Sequence, residues 1–447
     1  MTEFIWNLFS FIVALGILVF VHEYGHYWVA KKNGVKVLKF AVGFGKPIYT
    51  WRSKSGTDFV IGLIPLGGYV RMLDERIDEV LPQDKSSAFN NKKVSQRIAV
   101  IAAGPMANFV FAIIVLFAMF MMGGKAVKPV VGVVDQSSIA ADSGIVAGDV
   151  ILSVNNQPTP SWESANYALI AQVGKPNFNL LVERGNAETN IIVNSNGWEI
   201  DDGQVLKGLG IQPYRPNPLL TIALIVDGSP AQIGGLLVSD KLLTINGISL
   251  KTWQQTTEII AANADKKLNV EVERNGQKIT LAITPKNRPT KDGFSQGYLG
   301  VAPDVEKWPK GYVFDVQYGI FPALQKSVEQ TWSFISLSFQ MVGKLITGDI
   351  GLNNLSGPIS IAQGAGHSAE SGLVNFLKFL ALISINLGVV NLLPLPVLDG
   401  GHLMYYFIEL IRGKPVSERV QEMGFRIGAF ILMMIMGIAI INDFGRL

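Results

Sequence analysis

The residues best suited to chemistry lie in Val21-His22-Glu23-Tyr24-Gly25-His26. The H-E-x-x-H spacing puts two histidines four residues apart, roughly 6 Å of helical rise, on nearly the same face. Two neutral imidazoles so placed can take two corners of a zinc tetrahedron, and Glu23 can act on water as general base. Such a site needs a third protein ligand and an open position. The best source is Asn391-Leu392-Leu393-Pro394-Leu395-Pro396-Val397-Leu398-Asp399-Gly400-Gly401-His402. Pro394 and Pro396 break a helix there and free its backbone groups, and Asp399 follows. His402 is a rival ligand three residues on, and chemistry alone does not exclude it. Asp399 could also cap a following helix, expected over Leu403–Ile411.

These groups need elements that bring them together. Of the 447 residues 49% are hydrophobic and the net charge is only +3, which points to a membrane protein with soluble parts. There is no basic stripe of the kind that binds nucleic acid. With no cysteine, a thiol nucleophile, thiolate zinc ligands and disulfides are excluded. Phe4–Val21 is apolar and about as long as a membrane span. It leads directly into the His-Glu motif and is expected to be retained, not cleaved as a signal. Ionisable groups at a membrane boundary are costly unless partnered, so a functional role is the default for His22, Glu23 and His26. Three further runs are long enough to cross: Ile98–Met122, which carries Ala103-Gly104-Pro105-Met106-Ala107-Asn108-Phe109, then Val374–Leu393 and Phe425–Ile441. Lys31, Lys32, Lys36, Lys39, Lys46, Arg52 and Lys54 crowd the first connection, and Arg412, Lys414 and Arg419 the last. Both connections are therefore expected to be cytoplasmic and both termini outside, which puts the His-Glu pair and Asp399 at one depth.

The first connection reads as β structure over Val35–Phe44 and Asp58–Val70, broken at Gly43-Phe44-Gly45 and Pro65-Leu66-Gly67-Gly68. Its apolarity suits strands packed against the membrane part or dipping into it. Between the second and third spans the chain repeats itself. Ala140 to Asn155 parallels Ala231 to Asn246, Trp162 parallels Trp253, and Val182-Glu183-Arg184 parallels Val272-Glu273-Arg274. Gly208-Leu209-Gly210-Ile211 likewise parallels Tyr298-Leu299-Gly300-Val301. The pattern G-L-x-x-G-D-x-I-x-x-I-N-G, clearest through Ile245-Asn246-Gly247, resembles a PDZ domain. Its L-G-I/V segment falls at the end of each repeat, which implies a circularly permuted form. The grooves at Leu209, Gly210, Ile211 and at Leu299, Gly300, Val301 would take an extended chain by strand addition. Phe321–Ile346 reads as an amphipathic helix on the outer membrane surface. Gly351–Gly366 reads as a loop and His367 as a surface residue.

His22-Glu23-x-x-His26, Asn391-x-x-Pro394-x-Pro396-x-Leu398-Asp399-Gly400 and the repeats between them resemble the site-2 protease family of intramembrane zinc metalloproteases, across essentially the whole chain. The resemblance implies Zn2+ on His22, His26 and Asp399, with Glu23 activating water, and removes His402 from the ligand set. It implies that Gly43 to Gly45 and Ile61, Gly62, Leu63, Ile64, Pro65, Leu66, Gly67, Gly68 and Tyr69 form membrane-associated β structure that receives substrate. Asn391, beside Pro394 and Pro396, would hold the substrate backbone. The expected class is an α-helical polytopic membrane protein with four transmembrane helices, membrane-associated β structure and two tandem, circularly permuted PDZ-type α+β domains. The expected divisions are a first span (1–27), a cytoplasmic-side β region (28–97), a second span (98–122), the two PDZ domains (126–214 and 215–308), a helix and loop on the periplasmic surface (309–372), a third span with the Leu-Asp-Gly motif (373–402), a cytoplasmic loop (403–424) and a fourth span (425–443). The expected activity is cleavage of the transmembrane segment of pre-trimmed single-span proteins in the bacterial inner membrane. An anti-sigma factor of an envelope stress response and remnant signal peptides are the substrates the family implies, with the PDZ pair as a size filter. A catalytically silent PDZ scaffold would be favoured by loss of Glu23 or Asp399, and both are present. A transporter would carry more polar spans and a repeat within its membrane part.

Overall fold

The computed structural model describes residues 2–198, 204–289 and 295–446. Helix α1 (Thr2–Lys32) runs unbroken through the first apolar segment and the His-Glu motif. A hairpin of two long strands follows, β1 (Val37–Arg52) and β2 (Asp58–Met72), and then α2 (Val94–Met122). The two helices cross at Gly25, where a Cβ would lie 2.7 Å from Ala107 Cβ and 2.9 Å from the carbonyl carbon of Ala103. Only glycine permits this approach, and it brings the motif onto α2.

The hairpin folds back on itself. Lys39–Val42 pair with Gly68–Arg71 on one side and with Asp58–Ile61 on the other, and Asp58–Ile61 pair in turn with Tyr49–Arg52. The expected breaks at Gly43-Phe44-Gly45 and Pro65–Gly68 are bends within continuous strands, because Gly43, Gly45 and Gly67 take positive φ and turn the chain without ending the ladder. Gly68–Met72 is left as a free edge among the described residues.

The two repeats fold alike. The first contains β3 (Val131–Val134), β4 (Val150–Val154), helix α3 (Trp162–Ile170), β5 (Asn177–Arg184), β6 (Ala187–Asn194) and β7 (Ile211–Pro213). The second contains β8 (Pro218–Ile225), β9 (Lys241–Ile245), α4 (Trp253–Ala261), β10 (Leu268–Arg274), β11 (Gln277–Ile283) and β12 (Val301–Val305). Strand order is β11-β10-β9-β8-β12 in the second; in the first, β6-β5-β4 form one sheet and β3-β7 a separate ladder. Matching apolar residues fill equivalent cores, Ile151, Val154, Leu180 and Val182 in one and Leu242, Ile245, Val270 and Val272 in the other. The shared Asp and Arg do the same work in each copy. Arg184 grips buried Asp149 with two bonds of 2.8 Å, and Arg274 grips buried Asp240 with two of 2.7 Å. Residues Pro213–Val313 form one compact unit, and the first repeat belongs with the remaining chain.

Beyond the repeats come α5 (Ile320–Thr347), α6 (Pro358–Glu370), α7 (Leu373–Leu392), α8 (Asp399–Arg412) and α9 (Glu418–Arg446). With α1 and α2, α7 and α9 are long and apolar enough to cross a membrane, four such helices among the described residues. Ala112, Val115 and Leu116 of α2 pack with Phe334 of α5 and with Ala381, Ile385 and Val389 of α7. Two expectations are corrected. Gly351–Gly366 is a loop only to Gly357; α6 then begins at Pro358, its N-terminus capped by Asp443 of α9, which accepts from the backbone N–H groups of Gly357, Ile359 and Ser360. A cap supplied from over eighty residues away leaves no local sequence signal. Within 403–424, the helix expected over Leu403–Ile411 is present as part of α8, which runs to Arg412, and the last helix, α9, starts at Glu418, ahead of the expected 425. His367 is exposed, as expected.

Candidate active site

His22 and His26 lie on the buried face of α1 that meets α2. His26 Nδ1 is 2.9 Å from the carbonyl oxygen of Val100. A carbonyl only accepts, so Nδ1 holds the proton and Nε2 presents a lone pair. His22 Nδ1 is 3.1 Å from the side-chain amide of buried Asn108. The facing atom is Asn108 Nδ2, and Oδ1 is buried without a hydrogen-bond partner among the described residues. With the amide turned over, Oδ1 would accept from Nδ1–H and His22 would take the same tautomer as His26. Asn108 is itself held, its backbone carbonyl accepting from Ser384 Oγ of α7 at 2.8 Å. Gly104 leaves the space for the rings: a Cβ there would sit 2.7 Å from His26 Cε1 and 2.8 Å from His22 Cε1.

The third group arrives through the break between α7 and α8. Backbone bonds from Leu395 N–H to the Leu393 carbonyl (2.7 Å) and from Leu398 N–H to the Leu395 carbonyl (2.8 Å) turn the chain, and α8 opens at Asp399. Gly400 and Gly401 press on the backbone of Leu392–Leu393 and Leu395–Pro396, where no Cβ fits. Asp399 Oδ2 consequently lies 3.1 Å from His22 Nε2 and 3.3 Å from His26 Nε2, and the two Nε2 atoms are 3.2 Å apart. Three potential ligand atoms converge here, an arrangement that suits a cation. Tetrahedral bonds of about 2.0–2.1 Å to zinc place ligand atoms about 3.3–3.4 Å apart, close to what is found. The donor set therefore fits zinc. His402 lies outside this group.

Glu23 is buried beside the hairpin: a Cβ on Gly68 would lie 2.8 Å from Glu23 Cγ and from Val19 Cγ1. The free edge of β2 thus runs past the carboxylate. Not every residue expected to receive substrate sits on that edge. Ile61 pairs with both Val42 and Tyr49, inside the sheet, and Gly62 stacks on Gly43. Leu63, Ile64 and Tyr69 are exposed, Pro65 is half-buried, and Leu66 continues β2 into Gly67 and Gly68. Asn391 is half-buried at the end of α7, and its side chain makes no hydrogen bond among the described residues. Pro394 is exposed, whereas Pro396 packs beneath Gly428 of α9. In the repeats, Leu209 and Leu299 are buried and Gly210 and Gly300 take φ of +78° and +81°. Ile211 and Val301 open β7 and β12, each with one unpaired edge among the described residues.

A profile of peptidase family M50 matches residues 10–435 of the chain. The chain belongs to peptidase family M50. Three relatives align over the full length of both sequences. They are a Vibrio cholerae protein named as a zinc metalloprotease (45% identical), the protease RseP of Yersinia pestis (45%) and the regulator of sigma-E protease RseP of Escherichia coli (44%). The site-2 protease resemblance and the M50 match agree, the protein is a metalloprotease, and zinc is the cofactor.

Val100, Gly104 and Asn108 were not legible as functional from spacing alone. One signal was present: a polar Asn108 inside an otherwise apolar span.

Proposed function

We propose that this M50 protein is an intramembrane endopeptidase that cleaves the transmembrane segment of single-span proteins already shortened outside the membrane. The observation that carries the reading is the convergence of His22, His26 and Asp399 where two apolar helices meet α2. Zinc held by these three would polarise the scissile carbonyl and acidify water. Glu23 would take the proton of the attacking water and deliver it to the leaving amine. A peptide bond within a helix is shielded, so the substrate must unwind locally. The edge Gly68–Met72 beside Glu23 would receive the unwound stretch by strand addition, and the uncommitted amide of Asn391 would satisfy freed backbone groups.

The protein would lie in the bacterial inner membrane, with termini and repeats periplasmic and the site near the cytoplasmic side. The divisions given above would hold with the helix boundaries as corrected, and the repeats would be PDZ domains of permuted type. Their free edges at Ile211 and Val301 support that reading. We read the pair as a size filter that excludes bulky outer domains; recognition of a freshly exposed C-terminus is the competing role. The similarity to regulators of sigma-E protease supports an anti-sigma factor as substrate, with remnant signal peptides as a second class. The test presents purified protein with the same single-span substrate carrying a short or a bulky outer domain, and locates the cut by mass spectrometry. Cleavage inside the span, of the short form only, is expected. Cleavage outside the span contradicts the proposal, and equal cleavage of both forms removes the size filter.

A further inference from the structure

A cavity of about 620 Å³ lies where the first repeat meets the outer ends of the membrane helices, away from His22, His26 and Asp399. Met119 and Phe120 of the last turns of α2 and Val374 of the first turn of α7 form its apolar side, with Tyr167 of α3 and Phe334 of α5 stacked edge to face at 4.9 Å. Two apolar helices end at this cavity, so with both crossing the bilayer as proposed above its mouth would sit at the level of lipid head groups. It is built, not incidental. The Tyr318 N–H and Gln317 Nε2 donate to the carbonyls of Phe120 and Met121, satisfying the orphaned end of α2 and fixing the floor.

The charges around it are unequal. Lys378 of α7 pairs with Glu163 of α3 at 2.5 Å, and Lys326 pairs with Glu329 at 3.6 Å within α5. Lys125, just beyond α2, is exposed on the rim and has no carboxylate partner among the described residues. The rim thus offers one unbalanced positive charge above an apolar wall. The volume falls in the range of sites that take small organic ligands.

We propose that this cavity binds one phospholipid with a monoanionic head group, its phosphate on Lys125 and the start of its acyl chains against Phe120 and Val374. The bound lipid would join the first repeat to the outer ends of α2 and α7. The placement favours lipid because head groups at this depth are present at bulk concentration, and the ligand needs both one negative charge and an apolar stem.

The test uses full-length protein in mild detergent with phosphatidylglycerol carrying a photoactivatable group near the head of one acyl chain, and maps labelled peptides by mass spectrometry. Labelling is expected on segments around Lys125 and Val374, reduced at least tenfold by excess unlabelled phosphatidylglycerol but not by phosphatidylcholine. Lys125→Glu removes the charge and Ser164→Trp fills the space; each should lower labelling at least tenfold, whereas Lys278→Glu in the second repeat should leave it unchanged. Two independent variants keep a folding defect in one from deciding the result. Labelling spread evenly over the spans, unchanged labelling in both variants, or displacement by a peptide bearing a free C-terminal carboxylate but not by lipid would each overturn the proposal.

Discussion

Gly104→Ala is a one-carbon change whose outcome the geometry dictates. By helix propensity alone it should stabilise α2 by roughly 0.5–1 kcal/mol, since glycine is the poorer helix former. The site demands the opposite. The new Cβ would stand 2.7 Å from His26 Cε1, where carbon atoms need about 3.5 Å, so the ring must retreat by about 0.8 Å. His26 Nε2 lies nearer still, and bonds to a metal tolerate only about 0.2 Å. The ring has no easy retreat, because its Nδ1 is tied to the Val100 carbonyl at 2.9 Å on the same helix that carries Gly104. Zinc affinity should fall by at least the 10–100-fold typical of lost support around a metal, and cleavage by about 100-fold or more, as a 1 Å misplacement costs. The assay measures bound zinc, cleavage rate and melting temperature on one purified preparation. A variant that melts no lower than wild type yet has lost zinc and activity is the predicted result. A Gly104→Ala protein with full zinc and full activity would refute the geometry of the site.

Other consequences are equally open to measurement. Asn108→Leu removes the group that orients His22, so zinc affinity should drop by about 10–100-fold while Asn108→Asp, which can still accept from Nδ1–H, retains most of it. Asn391→Ala should lower the cleavage rate without changing bound zinc, because Asn391 is not among the converging ligands. Arg274→Met leaves buried Asp240 with only the Leu237 N–H as partner, which should destabilise the unit Pro213–Val313, read as a lower denaturation midpoint. In the parent chain burial alone would raise the Asp240 carboxyl, but the Arg274 guanidinium and the Leu237 N–H together hold it below the usual carboxylate range. A depressed folded value means that the stability it contributes is complete above about pH 4 and is lost as the pH falls through the folded value. Acid unfolding of the second repeat should therefore begin at higher pH in Arg274→Met than in wild type.

Much of the site could be read from the chain because its chemistry is local. His22, Glu23 and His26 share one helical turn, and Asp399 follows a proline-broken helix end whose glycines admit no other residue. The repeats were equally legible, since each copy reuses one buried aspartate and one arginine at fixed positions. What spacing could not supply was long-range. Val100 acts through a backbone carbonyl, which any residue would carry, and α6 is capped by Asp443 of a helix far along the chain. The fold of the hairpin onto itself, which puts Ile61 inside the sheet and Gly68 at its edge, depends on pairings that alternation alone leaves open.

The most direct test of the central claim measures bound zinc and cleavage together, for wild type and Glu23→Gln, with a single-span substrate lacking most of its outer domain. One zinc per molecule in both proteins, with cleavage by wild type only, is predicted. A folded preparation that binds no zinc in either form, or a Glu23→Gln protein that cleaves as fast as wild type, would contradict it.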